Sequence, residues 1–390
     1  MTKKPYQIFF ILVLSFVFSK VVLSPSLLAQ PLLIKDNQEL YKAAIVMEPT
    51  TGTILHAENS QKLINPASIV KMMVSLIVLE HLQEKQIKLT DQITVSKWAS
   101  KIGGHQVFLK QGEVFELGEL MRAVVIGSAN DAAVSVAEYI GGDQQGFVEM
   151  MNRRAQKLKM KDTIYQNPHG LPPGRGQQET ITTAYDQALL GQELLKHPQY
   201  IKWSSVRRDM FRNNTFELLN TNRHLLKKMP EVDGLKTGYH RKAGFSVVAT
   251  AKRGDTRLIA AVMGAKKTSI RTKIAARLLA RGFSKYGYVT VLHKGETFKQ
   301  SVSVKKGQSE TVDLILAETA RFFLKRSDHN KIEQRINLPE SIEAPVIEGK
   351  ILGNIELKLN DKILQTIDLH AAKSVTKKTF WQNLKESLKL

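Results

Sequence analysis

Pro66-Ala67-Ser68-Ile69-Val70-Lys71-Met72-Met73 is the stretch from which the rest of the chain can be read. It places a hydroxyl and an amine three residues apart. On a helix, positions i and i+3 share a face. The spacing predicts a helix here, with Pro66 in its first turn and Met72, Val74, Leu76, Ile77, Leu79 and Leu82 supplying apolar surface. Serine becomes a useful nucleophile only when a base takes its proton. A partly buried lysine loses basicity and can serve as that base near neutral pH.

Ser-x-x-Lys alone carries little weight in a lysine-rich chain, and it recurs at Ser303/Lys306 and Ser374/Lys377. Company separates the first copy from the others. Gly127-Ser128-Ala129-Asn130-Asp131 supplies a Ser-x-Asn, and Asp233-Gly234-Leu235-Lys236-Thr237-Gly238 a Lys-Thr-Gly. This trio in this order marks penicillin-binding proteins and class A β-lactamases. Both other Ser-x-x-Lys matches fall after the Lys-Thr-Gly.

On these motifs the chain resembles the low-molecular-mass penicillin-binding proteins that act as serine-type D-alanyl-D-alanine carboxypeptidases. Asn167-Pro168-His169-Gly170-Leu171, Thr183-Ala184-Tyr185-Asp186 and Leu219-Asn220-Thr221-Asn222-Arg223 look like further landmarks. So does Arg257–Ala265 followed by Arg271. The likeness extends over nearly the whole chain after the leader. It implies Ser68 as nucleophile on the penultimate D-Ala carbonyl, Lys71 as base, Ser128 as proton relay, and Asn130 as a holder of substrate backbone. It also implies carboxylate recognition by Lys236, Thr237, Gly238 and Arg271, and an oxyanion site at the backbone N–H groups of Ser68 and Tyr239. The implied substrate is the pentapeptide stem of peptidoglycan, with β-lactams as covalent inhibitors. One departure stands in Gly103-Gly104-His105-Gln106-Val107-Phe108-Leu109-Lys110, where His105 replaces a serine common in relatives.

Lys3 and Lys4 precede an apolar stretch from Ile8 to Leu14, extended through Phe18, which reads as a secretory signal over residues 1–29. An uncleaved anchor is the other reading. Export would place the protein at the periplasmic or extracytoplasmic face of a bacterial membrane. The chain has no cysteine, so thiol catalysis is excluded and the fold rests on its core. Histidine spacing suggests no metal site, and no cofactor is expected. Net charge is +21. For an exported chain without a nucleic-acid motif, this favours anionic membrane or wall polymer over nucleic acid.

A hairpin is predicted over 43–57, helices over 116–160 and 182–196, adjacent strands at Phe245–Thr250 and Leu258–Val262, and a closing helix over 270–282. Helices inside an antiparallel sheet built from both ends of a domain give an α+β, β-lactamase/transpeptidase-like catalytic domain over 30–287. From about 288, short alternating runs (Val289–Leu292, Gln300–Val304, Thr311–Leu316, Ile332–Leu338, Ile351–Leu359 and Lys362–Leu369) separated by turn residues predict a small β-sandwich over 288–374. Phe380, Trp381, Leu384 and Leu388 recur at helical spacing among lysines, so 375–390 reads as an amphipathic helix for a membrane surface, or one docked on its own domain.

A β-lactamase of this fold would need a deacylating base. Glu217, the nearest candidate, sits close to the Lys-Thr-Gly, in the wrong place. His169 and Asp186 do not make a Ser-His-Asp set, since no Gly-x-Ser-x-Gly elbow is present. A DD-endopeptidase acting on cross-links, or a non-catalytic wall-binding protein, stays open at this point.

Overall fold

The computed structural model describes residues 40–382. The expected signal segment (1–29) and the last residues of the expected amphipathic helix (383–390) lie outside the described residues.

Strands β1 (Ala43–Met47) and β2 (Ile54–Glu58) form the expected hairpin. The Glu48 carboxylate closes its turn by accepting the backbone N–H groups of Thr50 and Thr51. Strands β3 (Val232–His240), β4 (Gly244–Arg253) and β5 (Thr256–Ala265) complete an antiparallel sheet of order β2-β1-β5-β4-β3. The inner strands β1, β4 and β5 are largely buried on both faces, which is why Ala43–Met47, Phe245–Thr250 and Leu258–Val262 read as nearly continuous apolar runs. Ala43, Ile45 and Met47 pack into one core, while Ala44 and Val46 pack into the other. That is the two-residue period of a strand resolved onto two layers.

One layer holds the helical middle: α1 (Lys71–Gln83), α2 (Asn130–Gly141), α3 (Gln144–Lys157) and α4 (Ala184–Leu194). Gly142, with φ 78°, and the N-capping Asp143 separate α2 from α3. The opposite layer is α5 (Thr268–Lys285), packed through Ile274, Leu278, Leu279 and Phe283.

The helix expected at Ser68 differs in kind. Ala67–Val70 is a 3-10 turn, and the α-helix starts only at Lys71. Ala67 takes the left-handed conformation (φ 50°), which breaks the α-helix before the serine. A 3-10 turn has three residues per turn, so it nearly eclipses i and i+3 and favours the Ser68–Lys71 approach.

Beyond α5 the chain is β-rich. Strands β6 (Tyr286–Leu292) and β9 (Ala320–Lys325) form a two-stranded ribbon. Strands β7 (Thr297–Lys305), β8 (Thr311–Leu316), β10 (Glu333–Asn337), β11 (Ser341–Glu343), β12 (Ile351–Leu359) and β13 (Lys362–Ala371) form a sheet of order β10-β12-β13-β8-β7-β11. Val312, Leu314, Leu316, Ile355, Leu357, Ile367 and Leu369 alternate into a separate core that also takes in Leu292 and Ala320 of the ribbon. Phe380 begins a helix whose first residues are exposed.

Candidate active site

Three separated segments meet at the Ser68 turn because two glycines let backbones touch. A Cβ on Gly170 would stand 2.1 Å from the Ala67 carbonyl oxygen, and Gly170 itself has φ 80°. A Cβ on Gly238 would stand 2.4 Å from the Pro66 carbonyl oxygen. The loop after α3 and strand β3 therefore lie directly against the turn that presents the serine.

Lys71 is fully buried. Its Nζ donates to Asn130 Oδ1 at 2.7 Å and to the His169 carbonyl at 2.7 Å, and lies 3.2 Å from Ser68 Oγ. A neutral amine has two N–H groups and one lone pair. Both N–H groups are engaged by acceptors, so the lone pair is left for the serine proton. Burial holds the Lys71 pKa well below the usual lysine range, with the Lys236 charge adding to the drop and Asp131 opposing it.

Ser128 sits in the left-handed region (φ 62°) at the end of a π-helical turn, Ala123–Gly127. Such turns often re-aim a side chain at a functional site. Its hydroxyl accepts from Lys236 Nζ at 2.8 Å, and the same ammonium donates to the Thr237 carbonyl at 3.1 Å. Lys236 is also buried; burial and the nearby Arg271 charge bring its pKa down to about 7. Thr237 donates to Thr221 Oγ1 at 2.7 Å. Asn130 spends one amide N–H on the Gly103 carbonyl at 2.8 Å, which leaves the other for a ligand.

A cavity of about 490 Å³ opens in front of these groups. Ser68, Ser128, Asn130, Thr237, Gly238, Tyr239 and Arg271 line it, with Lys71 and Lys236 behind them. Tyr239 is exposed and stacks on Phe245, ring centroids 4.0 Å apart. Arg271 is not a surface residue at a helix start. It is 5 % exposed, its Nη1 donates to the Ser246 carbonyl at 3.4 Å, and burial lowers its pKa to about 10.

His105 also lines the cavity; partial burial, then the Lys236 and Lys71 charges, lower its pKa. The two Ser-x-x-Lys repeats at 303 and 374 fall in the C-terminal β-rich part. Glu217 pairs with Arg208 at 2.9 Å and does not line the cavity. Asp186 accepts from the Thr163 hydroxyl and the Asp162 N–H, while His169 accepts from the Leu171 N–H, so no His–Asp pair forms. Burial, then the Lys71 charge, lowers the His169 pKa to about 3.

Several contributors escaped the sequence reading. The His169 carbonyl is backbone, so no side-chain pattern announces it. Thr221 and Gly170 lay within landmarks but had no assigned role. Asp131 is buried, and its carboxylate accepts the N–H groups of Val107 and Leu109, fixing the loop that carries His105.

Among the described residues no cluster of three or more His, Asp or Glu could hold a metal, and no helix is long and apolar enough to cross a membrane.

A hydroxyl next to a desolvated amine, with a second lysine held through a second serine, is the equipment of serine acyl-transfer enzymes that use an amine as base. Comparison with known proteins narrows that class. The family model described as D-alanyl-D-alanine carboxypeptidase, peptidase S11, matches residues 34–267, and that of the penicillin-binding protein 5 C-terminal domain matches 286–377. The D-alanyl-D-alanine carboxypeptidase DacF of Bacillus subtilis is 35% identical over 351 residues, covering 89% of each chain. The crystal structure of penicillin binding protein 6B from Escherichia coli superposes with a TM-score of 0.69 at 31% identity, covering 87% of this chain and 98% of that one. Penicillin-binding protein D2 of Listeria monocytogenes, solved in ampicillin-bound and cefotaxime-bound forms, gives 0.58 at 28% identity over 65% of this chain and all of that one. The chain belongs to the peptidase S11 family of D-alanyl-D-alanine carboxypeptidases. It is a serine-type carboxypeptidase and a penicillin-binding protein of cell-wall metabolism, with an α+β transpeptidase domain followed by a β-rich domain.

Proposed function

We propose that Ser68 carries the acyl group when the enzyme removes the terminal D-Ala from a peptidoglycan pentapeptide stem. Lys71 takes the Ser68 proton as Oγ adds to the penultimate D-Ala carbonyl. The backbone N–H groups of Ser68 and Tyr239 receive the developing oxyanion. The proton passes by way of Lys71 and Ser128 to the leaving amine, the C–N bond breaks, and D-Ala departs. Water then cleaves the ester and restores Ser68. Lys236, Thr237 and Arg271 hold the substrate's free carboxylate, Gly238 gives it backbone access, and Asn130 holds the peptide with its spare amide N–H.

The observation that carries this reading is the Lys71 nitrogen, with both N–H groups bound to acceptors and Ser68 Oγ 3.2 Å away. A β-lactam presents the same acyl group and carboxylate, so penicillin should acylate Ser68. The ampicillin-bound and cefotaxime-bound relative supports this. The test is penicillin labelling with peptide mapping, beside D-Ala release from a pentapeptide. Both signals should map to Ser68 and vanish together in Ser68→Ala. Label on another residue, or D-Ala release by Ser68→Ala, would sink the assignment.

The division into a signal at 1–29, a catalytic domain at 30–287, a β-sandwich at 288–374 and a C-terminal anchor at 375–390 belongs to the same proposal, with the expected helix start moved from 375 to Phe380 because Val375 and Lys377 are held in β-bridges to the β-rich domain. It places the enzyme at the outer face of the cytoplasmic membrane. Exposed Phe380 and Trp381 support a membrane-facing end.

A further inference from the structure

His240, the last residue of β3, and Asn65, the residue before Pro66, belong to none of the three motifs, yet they join two segments that the site needs together. His240 Nε2 lies 2.6 Å from Asn65 Oδ1, across 175 positions of sequence. The Ala243 N–H donates to His240 Nδ1 at 3.2 Å, so Nδ1 is the acceptor and Nε2 carries the proton. Burial lowers the His240 pKa against the pull of Glu179, and the Lys242 and Lys42 charges add to the drop, which favours this neutral ring. Asn65 Oδ1 also accepts the Ala67 N–H at 2.9 Å. That bond holds Ala67 in the left-handed conformation (φ 50°), which an L-residue keeps only where its surroundings fix it. Ser68 is the next residue. His240 and Asn65 are both half-buried, and His240 stands on the wall of the Ser68 cavity.

We propose that His240 is a positioning residue for acyl transfer: through the Asn65 carboxamide it fixes the turn that carries Ser68 to the end of the strand that carries Tyr239. The inference rests on the acyl-transfer reading above and adds a residue to it. The two N–H groups that receive the oxyanion in that reading belong to Ser68 and Tyr239, one on each side of this bridge. Two donors stabilise one oxyanion when both come within hydrogen-bond distance of it. Gly238 lets the two backbones touch, but van der Waals contact resists approach and does little against separation. The bond from His240 to Asn65 opposes separation. Asn65 also holds the conformation that brings Ser68 Oγ to Lys71, so slackening it misplaces the nucleophile and the oxyanion donors together. The groups proposed to grip the substrate carboxylate, Lys236, Thr237 and Arg271, are not part of the bridge. His240 therefore acts on the chemical step rather than on ground-state binding.

The experiment measures acylation of the full-length enzyme by a fluorescent penicillin, over concentrations that separate the binding constant from the rate of the chemical step. Alongside it, kcat and KM are measured for D-Ala release from a pentapeptide. His240→Ala should lose about tenfold in acylation rate and in kcat, the size of one hydrogen bond lost from the transition state. The penicillin binding constant and KM should stay within about twofold. Asn65→Ala should lose as much, and the double variant no more than either alone, because the two residues act as one link. His240→Gln returns an N–H donor near the Nε2 position and should recover most of the rate. Melting curves establish that each variant is folded, and Asn65→Ala opens the link from the other side should His240→Ala not fold. An unchanged acylation rate, losses that add in the double variant, a rise in KM with kcat unmoved, or no recovery by His240→Gln would overturn the inference and leave the Ser68 chemistry standing. A wild type that takes up no penicillin at Ser68 would overturn the acyl-transfer reading and this inference with it.

Discussion

Ser128 accepts a hydrogen bond from Lys236 at 2.8 Å, across 108 positions of sequence. This contact joins the helical layer to the edge strand of the sheet. It also keeps a lysine in a place where burial makes its charge costly.

Replacing Lys236 with Met should therefore stabilise the fold while removing activity. A pKa lowered from 10.5 to about 7 means that the unfolded chain holds this proton more tightly than the folded one. The cost is full below pH 7 and fades as pH rises towards 10.5. Lys236→Met should gain on the order of 1–4 kcal/mol near neutral pH, with the advantage shrinking in alkaline buffer, and lose at least about 100-fold in D-Ala release. Denaturant unfolding at several pH values, beside a D-Ala assay, checks both halves.

Asp131 raises the Lys71 pKa against the effect of burial. Asp131→Asn removes that charge and lowers the Lys71 pKa further. Because the base must be neutral, the acid limb of penicillin acylation should move to lower pH. The loop from His105 to Leu109 loses charge-assisted bonds, so stability should fall by about 1–3 kcal/mol. A pH profile of the acylation rate with a melting curve would show the two effects together; an unmoved limb would refute the first.

Arg271 is the charge that helps depress Lys236. In the wild type, KM for a peptide with a free carboxylate should rise as pH passes through about 7 and Lys236 loses its proton. Arg271→Gln should shift that rise to higher pH and increase KM throughout. A KM profile that stays in place would show that Lys236 does not bind the carboxylate as a cation.

Gly170 touches the Ala67 carbonyl and has φ 80°. Gly170→Ala adds about 1–2 kcal/mol of backbone strain and about 1–3 kcal/mol of overlap, relieved only by moving the loop away from the Ser68 turn. Melting temperature and penicillin labelling rate should both drop. Wild-type values in both would show that the close contact is dispensable.

Much of the catalytic layer was legible because its chemistry rests on residue type and order. Ser68, Lys71, Ser128, Asn130 and Lys236 stand together as their motifs imply. Strands with one buried face were equally readable: Thr311–Leu316 and Ile351–Leu359 were delimited by alternation alone. Ala320–Lys325 was missed because adjacent Phe322 and Phe323 pack on opposite sides and erase the period. Val232–His240 hid behind Asp, Gly and Lys, whose presence in a strand answers to the site rather than to propensity. The π-turn before Ser128 and the left-handed Ala67 depend on backbone angles with no compositional trace.

Every residue of α1 from Lys71 to Leu79 is buried, so the protein interior encloses the first turns of that helix on every face. Its amides should exchange with deuterium only when the whole domain opens, among the slowest in the protein. Heat should then abolish turnover at the same temperature as tertiary structure, with no earlier inactive plateau. The amine proposed as the base has the durability of the core that surrounds it.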